Sequence, residues 1–117
     1  MQRILIKDLP DHIGEVVKVQ GWLQTLRDQK SMQFLVLRDK TGLVQVAHWK
    51  KGNPELAEAI SKLGTESALT IVGKVVANEV VRLGGLEIQL EDLKVEGLAE
   101  TPLPFDPFGE VLPDQDF

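Results

Sequence analysis

Apolar and polar residues alternate along several stretches of this chain. In residues 16–28, VVKVQGWLQTLRD, Val17, Val19 and then Leu23 fall on one side of an extended backbone, the period-two pattern of a half-buried strand. Gly21 interrupts the run, as glycine does at a bend or bulge where a small barrel coils. Residues 32–39, MQFLVLRD, and 43–49, LVQVAHW, read as two further strands. The polar segments Gln29-Lys30-Ser31 and Lys40-Thr41-Gly42 between them read as tight turns, with Gly42 free to adopt a positive φ. The period then changes. Asn53 is a good N-cap, Pro54 suits a first helical position, and Leu56, Ile60 and Leu63 follow at helical spacing. One short amphipathic helix is predicted over 54–63, closed by Gly64 in the left-handed conformation. Strands return at 67–77, with a central Gly73, and at 86–96, across a loop ending in Gly84-Gly85. In the last strand Leu86, Ile88 and Leu90 alternate before an offset to Leu93 and Val95, which implies a bulge.

Three strands, a helix and two strands make an all-β chain with a small α component. That is the order of a five-stranded OB-fold Greek-key barrel with one short helix between strands 3 and 4, although other five-stranded barrels share it. Residues 101–117 differ in kind: they hold four of the six prolines, which central strands do not accept. The expected organisation is a barrel domain over 1–100 and a Pro-rich connector over 101–117.

Side-chain direction selects candidate functional residues. If Leu35/Leu37 and Val44/Val46 point into the barrel, Phe34 and Gln45 both point outward. An exposed ring can stack on an unstacked base while the amide bonds its edge. Val36 is apolar too, so alternation leaves the inverted register open, with Phe34 in the core. Arg27, Lys30, Arg38, Lys40, Lys50 and Lys51 cluster around these strands and turns, as phosphate contacts require, though a solvated rim would look the same. Trp22 reads as a packing residue and Trp49 as partly buried against the helix. Asp28 and Asp39, each following an arginine at a strand end, read as turn caps or arginine partners. His48 has no acid or nucleophile beside it in sequence.

Composition narrows the chemistry. The 117 residues are 43% hydrophobic and 26% charged, with no cysteine, so disulfides, thiolate zinc sites and cysteine nucleophiles are excluded. His12 and His48, 36 residues apart, make no metal motif. Gly84-Gly85 lacks the following Lys-Ser/Thr and helix of a phosphate loop. No catalytic constellation and no metal site is found. No apolar run is long enough to span a bilayer, and the start lacks the long apolar stretch of a signal peptide; no membrane partner and a cytoplasmic location are expected. The net charge of −5 is unevenly spread: residues 1–51 carry +4 and residues 52–117 carry −9. A basic half joined to an acidic half suggests one face that tolerates a polyanion.

The runs GWLQTLRD, FLVLRDKTGLVQV, ESALTIVGKVV, GGLEI and ETPLPFDP, spread over residues 14–110, resemble the N-terminal anticodon-binding domain of class II aspartyl-tRNA synthetases, in the archaeal-type branch shared with asparaginyl-tRNA synthetases. The resemblance implies an OB-fold that grips the anticodon loop of tRNA. By it, Phe34 would stack on the central anticodon base, Gln45 would bond a base edge, Arg27 would contact the anticodon region, and the loop between the last two strands would bring in Glu79 and Arg82. It implies ATP and Mg²⁺ for the full-length enzyme, none for this domain, and a homodimer formed through the catalytic domain. The family's catalytic motifs are absent, so the expectation is a domain of a longer synthetase, with a free-standing relative as the alternative.

Aspartate and asparagine anticodons differ only at the third base, so the asparaginyl enzyme is the nearest rival. Gln24 stands where some relatives strict for aspartate tRNA carry a larger aromatic, which points to relaxed charging of both tRNAs. A free-standing binder of generic single strands would want more stacking aromatics than this chain has outside its tail. A protein-interaction module would fit the net negative charge.

Overall fold

A computed structural model describes residues 2–81 and 84–97. Arg82 and the Pro-rich stretch 101–117 lie outside the described residues. Five strands, β1 (Val16–Asp28), β2 (Met32–Asp39), β3 (Gly42–Trp49), β4 (Ala68–Ala77) and β5 (Leu86–Gly97), close a barrel in the order β1-β2-β3-β5-β4. All neighbouring pairs are antiparallel except β3 and β5, which run parallel. The alternation read from the sequence is the inside of this barrel: Val17, Val19, Leu23, Leu35, Leu37, Val44, Val46, Ile71 and Ile88 are all buried in one cluster.

Tight coiling depends on two glycines. A Cβ at Gly21 would stand 2.4 Å from the Arg38 carbonyl oxygen, and one at Gly73 would stand 2.4 Å from that of Gln89. Backbone therefore crosses backbone where a side chain would sit. The bulge expected in β5 is present: Gly73 pairs with Leu90 but Val72 pairs with Asp92, leaving Glu91 over. The bulge in β1 falls at Gln24, between Leu23 and Thr25, rather than at Gly21, which pairs regularly with Leu69.

One helix, α1 (Pro54–Ser61), covers the Gln33 end of the barrel. Asn53 caps it by accepting a hydrogen bond from the Leu56 N–H at 3.1 Å, and Ile60 is driven into the core. Its end departs from expectation. Gly64 is not left-handed; Lys62 closes the helix in right-handed geometry and Glu66 takes the positive φ of 67°. The 39–42 turn likewise uses no positive φ. The Asp39 carboxylate closes it instead, accepting hydrogen bonds from the N–H groups of Thr41 and Gly42 and from the Thr41 hydroxyl. Its other oxygen accepts the Ile6 N–H at 2.9 Å, which ties down a 3₁₀ segment, Ile6–His12. That segment buries Ile6 and Leu9 over the opposite end of the barrel and was not visible in the sequence pattern.

Candidate nucleic-acid interface

The β2–β3 register settles the direction of Phe34. Leu35 and Val46 are opposite one another inside the barrel, while Phe34 pairs with Ala47 and Val36 with Gln45. Phe34 and Gln45 are diagonal neighbours on the outer face, both half-buried. They lie in an open groove of about 750 Å³, within the usual range of ~300–1,000 Å³ for ligand sites. Its floor is made by Met32 and Phe34 of β2, Gln45 and Ala47 of β3 and Glu87 of β5; Arg27 and Gln29 form one wall, and Asn78, Val80 and Val81 of the β4–β5 loop form the other.

Each polar group in the groove is oriented by a neighbour. Arg27, opposite Phe34 in the β1–β2 ladder, holds its guanidinium carbon 4.8 Å from the ring centroid, a cation–π contact. Gln45 is in parallel register with Glu87 and donates its Nε2 hydrogen to Glu87 Oε1 at 3.1 Å. Asn78 Nδ2 donates more weakly to the same oxygen at 3.4 Å. Gln45 Oε1 is left without a protein donor among the described residues. The groove thus offers an apolar ring, a free amide acceptor, a carboxylate and a guanidinium, which suits a flat heterocycle with a polar edge and an attached anion.

The remaining candidates are placed differently. Lys30 is exposed in the β1–β2 turn beside the groove. Glu79 is exposed between the groove-lining Asn78 and Val80 but does not line the groove itself. Arg38 shares the outer face of β2 but stands near the far end of the strand, paired with Glu66 at 2.6 Å. Arg82 lies outside the described residues. Among the flanking groups, Lys50 is committed to Asp28 at 2.6 Å; that hydrogen bond and the lysine's charge hold the Asp28 carboxyl below the usual range despite partial burial. Asp28 is therefore a lysine partner rather than an arginine partner.

Both tryptophans differ from expectation. Trp22 is 38% exposed, with the Arg38 guanidinium 5.8 Å over its ring. Trp49 is 58% exposed instead of packing against α1. The place expected for it is taken by the next residue inward: His48 is buried, its Nδ1–H donating to Gln33 Oε1 at 3.0 Å while Gln33 Nε2 donates to the Ala57 carbonyl. Burial pushes the His48 pKa below its usual 6.5. Sequence reasoning missed Glu87 and Asn78. Glu87 had a visible signal, its parity between inward Leu86 and Ile88, but its facing Gln45 depends on the long-range β3–β5 pairing.

A family model described as an OB-fold nucleic acid binding domain matches residues 17–96. The chain is 41% identical over 100 residues to the asparagine–tRNA ligase of Desulforamulus reducens, covering 86% of this chain and 23% of that protein. It is 39% identical over 108 residues to the aspartate–tRNA(Asp/Asn) ligase of Methanopyrus kandleri, covering 92% and 25%. In three dimensions it resembles the asparaginyl-tRNA synthetase of Pyrococcus horikoshii complexed with asparaginyl-adenylate, with a TM-score of 0.79 and 32% identity over 89% of this chain and 24% of that one. The chain thus spans about a quarter of the length of the curated relatives it matches.

Proposed function

The chain belongs to the tRNA anticodon family of OB-fold nucleic acid binding domains, and from that premise we propose that its Phe34–Gln45 groove receives the anticodon loop of an aspartate or asparagine tRNA. The observation that carries the reading is the pairing of Phe34 and Gln45 on one outer face, in one groove, with no donor to Gln45 Oε1 among the described residues. A splayed base stacks on the Phe34 ring and Gln45 tests its edge. Arg27, already over the ring, is placed to meet the flanking phosphate. Stacking supplies affinity with little regard to base identity, whereas the amide supplies selection, because a wrong base leaves buried polar groups unpaired.

In this proposal the domain serves a longer ligase that charges tRNA with aspartate or asparagine, works in the cytoplasm and pairs through its catalytic domain. The similarity to both ligases named above supports the class and does not separate the two amino acids. In the same proposal ATP and Mg²⁺ are bound elsewhere in the ligase; among the described residues no three His, Cys, Asp or Glu side chains converge, and Gly84-Gly85 leads into β5 rather than a helix. Among the described residues, no helix is long and apolar enough to cross a membrane.

The test is filter binding of the 117-residue chain to hairpins carrying the aspartate and asparagine anticodons, to hairpins with unrelated anticodons, and to poly-pyrimidine strands. Preference for the first two supports the proposal. Equal binding to all would make the chain a generic single-strand binder, and no binding would favour a protein-interaction module.

A further inference from the structure

Trp49 ends β3 on the same outer face as Gln45 and Ala47, and its cross-strand partner is Met32, which floors the groove. Along the strand it lies two residues beyond the Phe34–Ala47 pair, roughly 7 Å. A tryptophan 58% exposed at this position is costly to leave in water and is continuous with the groove rather than isolated from it. The turn after it passes near one edge of the ring: a Cβ placed at Gly52 would stand 3.4 Å from Trp49 Cε3. Positive charge collects at the same corner. Lys51 is exposed and has no carboxylate partner among the described residues, and the Lys50 N–H donates to the Ser31 carbonyl at 3.0 Å, which fastens the Lys30 turn beside the end of β3. Trp22 is not equivalent, since Arg38 and its partner Glu66 occupy that ring's surroundings.

We propose that Trp49 is a second stacking platform of the nucleic-acid face, taking the nucleotide next to the one on Phe34, with Lys30 and Lys51 meeting the adjoining phosphates. The proposal rests on the anticodon-loop reading above and extends the interface by one nucleotide. Continuity with the groove and the local positive charge favour a nucleotide over an apolar protein surface as the occupant.

The test measures binding of the full chain, by fluorescence anisotropy, to a hairpin with a seven-nucleotide anticodon loop and to versions with one abasic site at each loop position in turn. Trp49→Ala should weaken binding to the intact hairpin by about fivefold or more. Trp49→Phe should retain most of the affinity. Trp49→Leu, which keeps apolar bulk without a π-face, should behave like Ala. The Trp49→Ala loss should vanish on one abasic hairpin only, adjacent to the one on which the Phe34→Ala loss vanishes. Wild-type affinity in Trp49→Ala, restoration by Leu, or an equal loss on every abasic hairpin would overturn the proposal. Failure of the wild-type chain to bind any hairpin would instead overturn the anticodon reading beneath it.

Discussion

Replacing Phe34 by alanine separates its function from its packing. The ring is half-buried on the outside of the barrel, and its best-defined neighbour is the Arg27 guanidinium at 4.8 Å. Loss of that cation–π contact costs about 0.5–1 kcal/mol, and loss of partial apolar burial adds a comparable amount. Unfolding stability should therefore drop by roughly 1–2 kcal/mol, well short of the ~3–5 kcal/mol of a core phenylalanine. Binding should fall by ~1–3 kcal/mol, about five- to 150-fold, because a stacked base loses its platform. Since every base has a π-face, the factor should be similar for cognate and base-substituted loops. Urea denaturation gives the first quantity and anisotropy titration of several hairpins gives the second. A stability loss of core size, or a binding loss confined to one base, would refute the stacking assignment.

Gln45→Ala should act in the opposite way, weakening the cognate loop most and narrowing its advantage over variants by about 1–3 kcal/mol in a parallel titration. An equal loss for all loops would make the amide a scaffold for Glu87. Gly73→Ala should destabilise the barrel by ~1–3 kcal/mol in urea, since the new methyl meets the Gln89 carbonyl 2.4 Å away; an unchanged midpoint would contradict the close crossing. Burial holds the His48 pKa below 6.5 in the fold, so the unfolded chain takes up that proton at a higher pH than the folded one does. Stability should therefore be level above pH 6.5 and decline as pH falls below it, with a slope of at most ~1.4 kcal/mol per pH unit. Asp39 adds a second decline at lower pH. Burial alone would raise its pKa, but hydrogen bonds from the Thr41 hydroxyl and the Ile6, Thr41 and Gly42 N–H groups hold it below 3.8, so its contribution persists above 3.8 and is lost beneath it. A denaturation midpoint unchanged from pH 7 to 5 would contradict the His48 part.

The parts of the fold legible in sequence are those set by local pattern. Alternation at Val17/Val19, Leu35/Leu37 and Val44/Val46 placed the core face of three strands, and Asn53-Pro54 with Leu56 and Ile60 placed α1. The parts not legible are set by partners distant in the chain. The Ile6–His12 segment carries Pro10 and only two buried residues, and it is held by a carboxylate 33 positions away. The 39–42 turn was legible in part: Gly42 needs no positive φ there, and Asp39, one of the turn caps read from the sequence, closes it through side-chain hydrogen bonds. Trp49 reads from the sequence as partly buried against the helix; its parity with Gln45 places it outside, and His48 fills the site against α1. In the groove, parity put Phe34 and Gln45 on a common face but left its direction open until the β2–β3 register was known, while Glu87 and Asn78 entered only through the parallel pairing of β3 with β5 and the loop before it.

The most direct measurement is an NMR titration of the ¹⁵N-labelled chain with an aspartate-anticodon hairpin, following backbone and side-chain amide signals. The largest changes should fall on Arg27, Phe34, Asn78 and Glu87 and on the Gln45 side-chain amide, with Gln20, Trp22 and Thr70 on the β1–β4 side nearly still. Changes concentrated on that β1–β4 side, with the Gln45 amide unmoved at saturation, would contradict the anticodon reading of the groove.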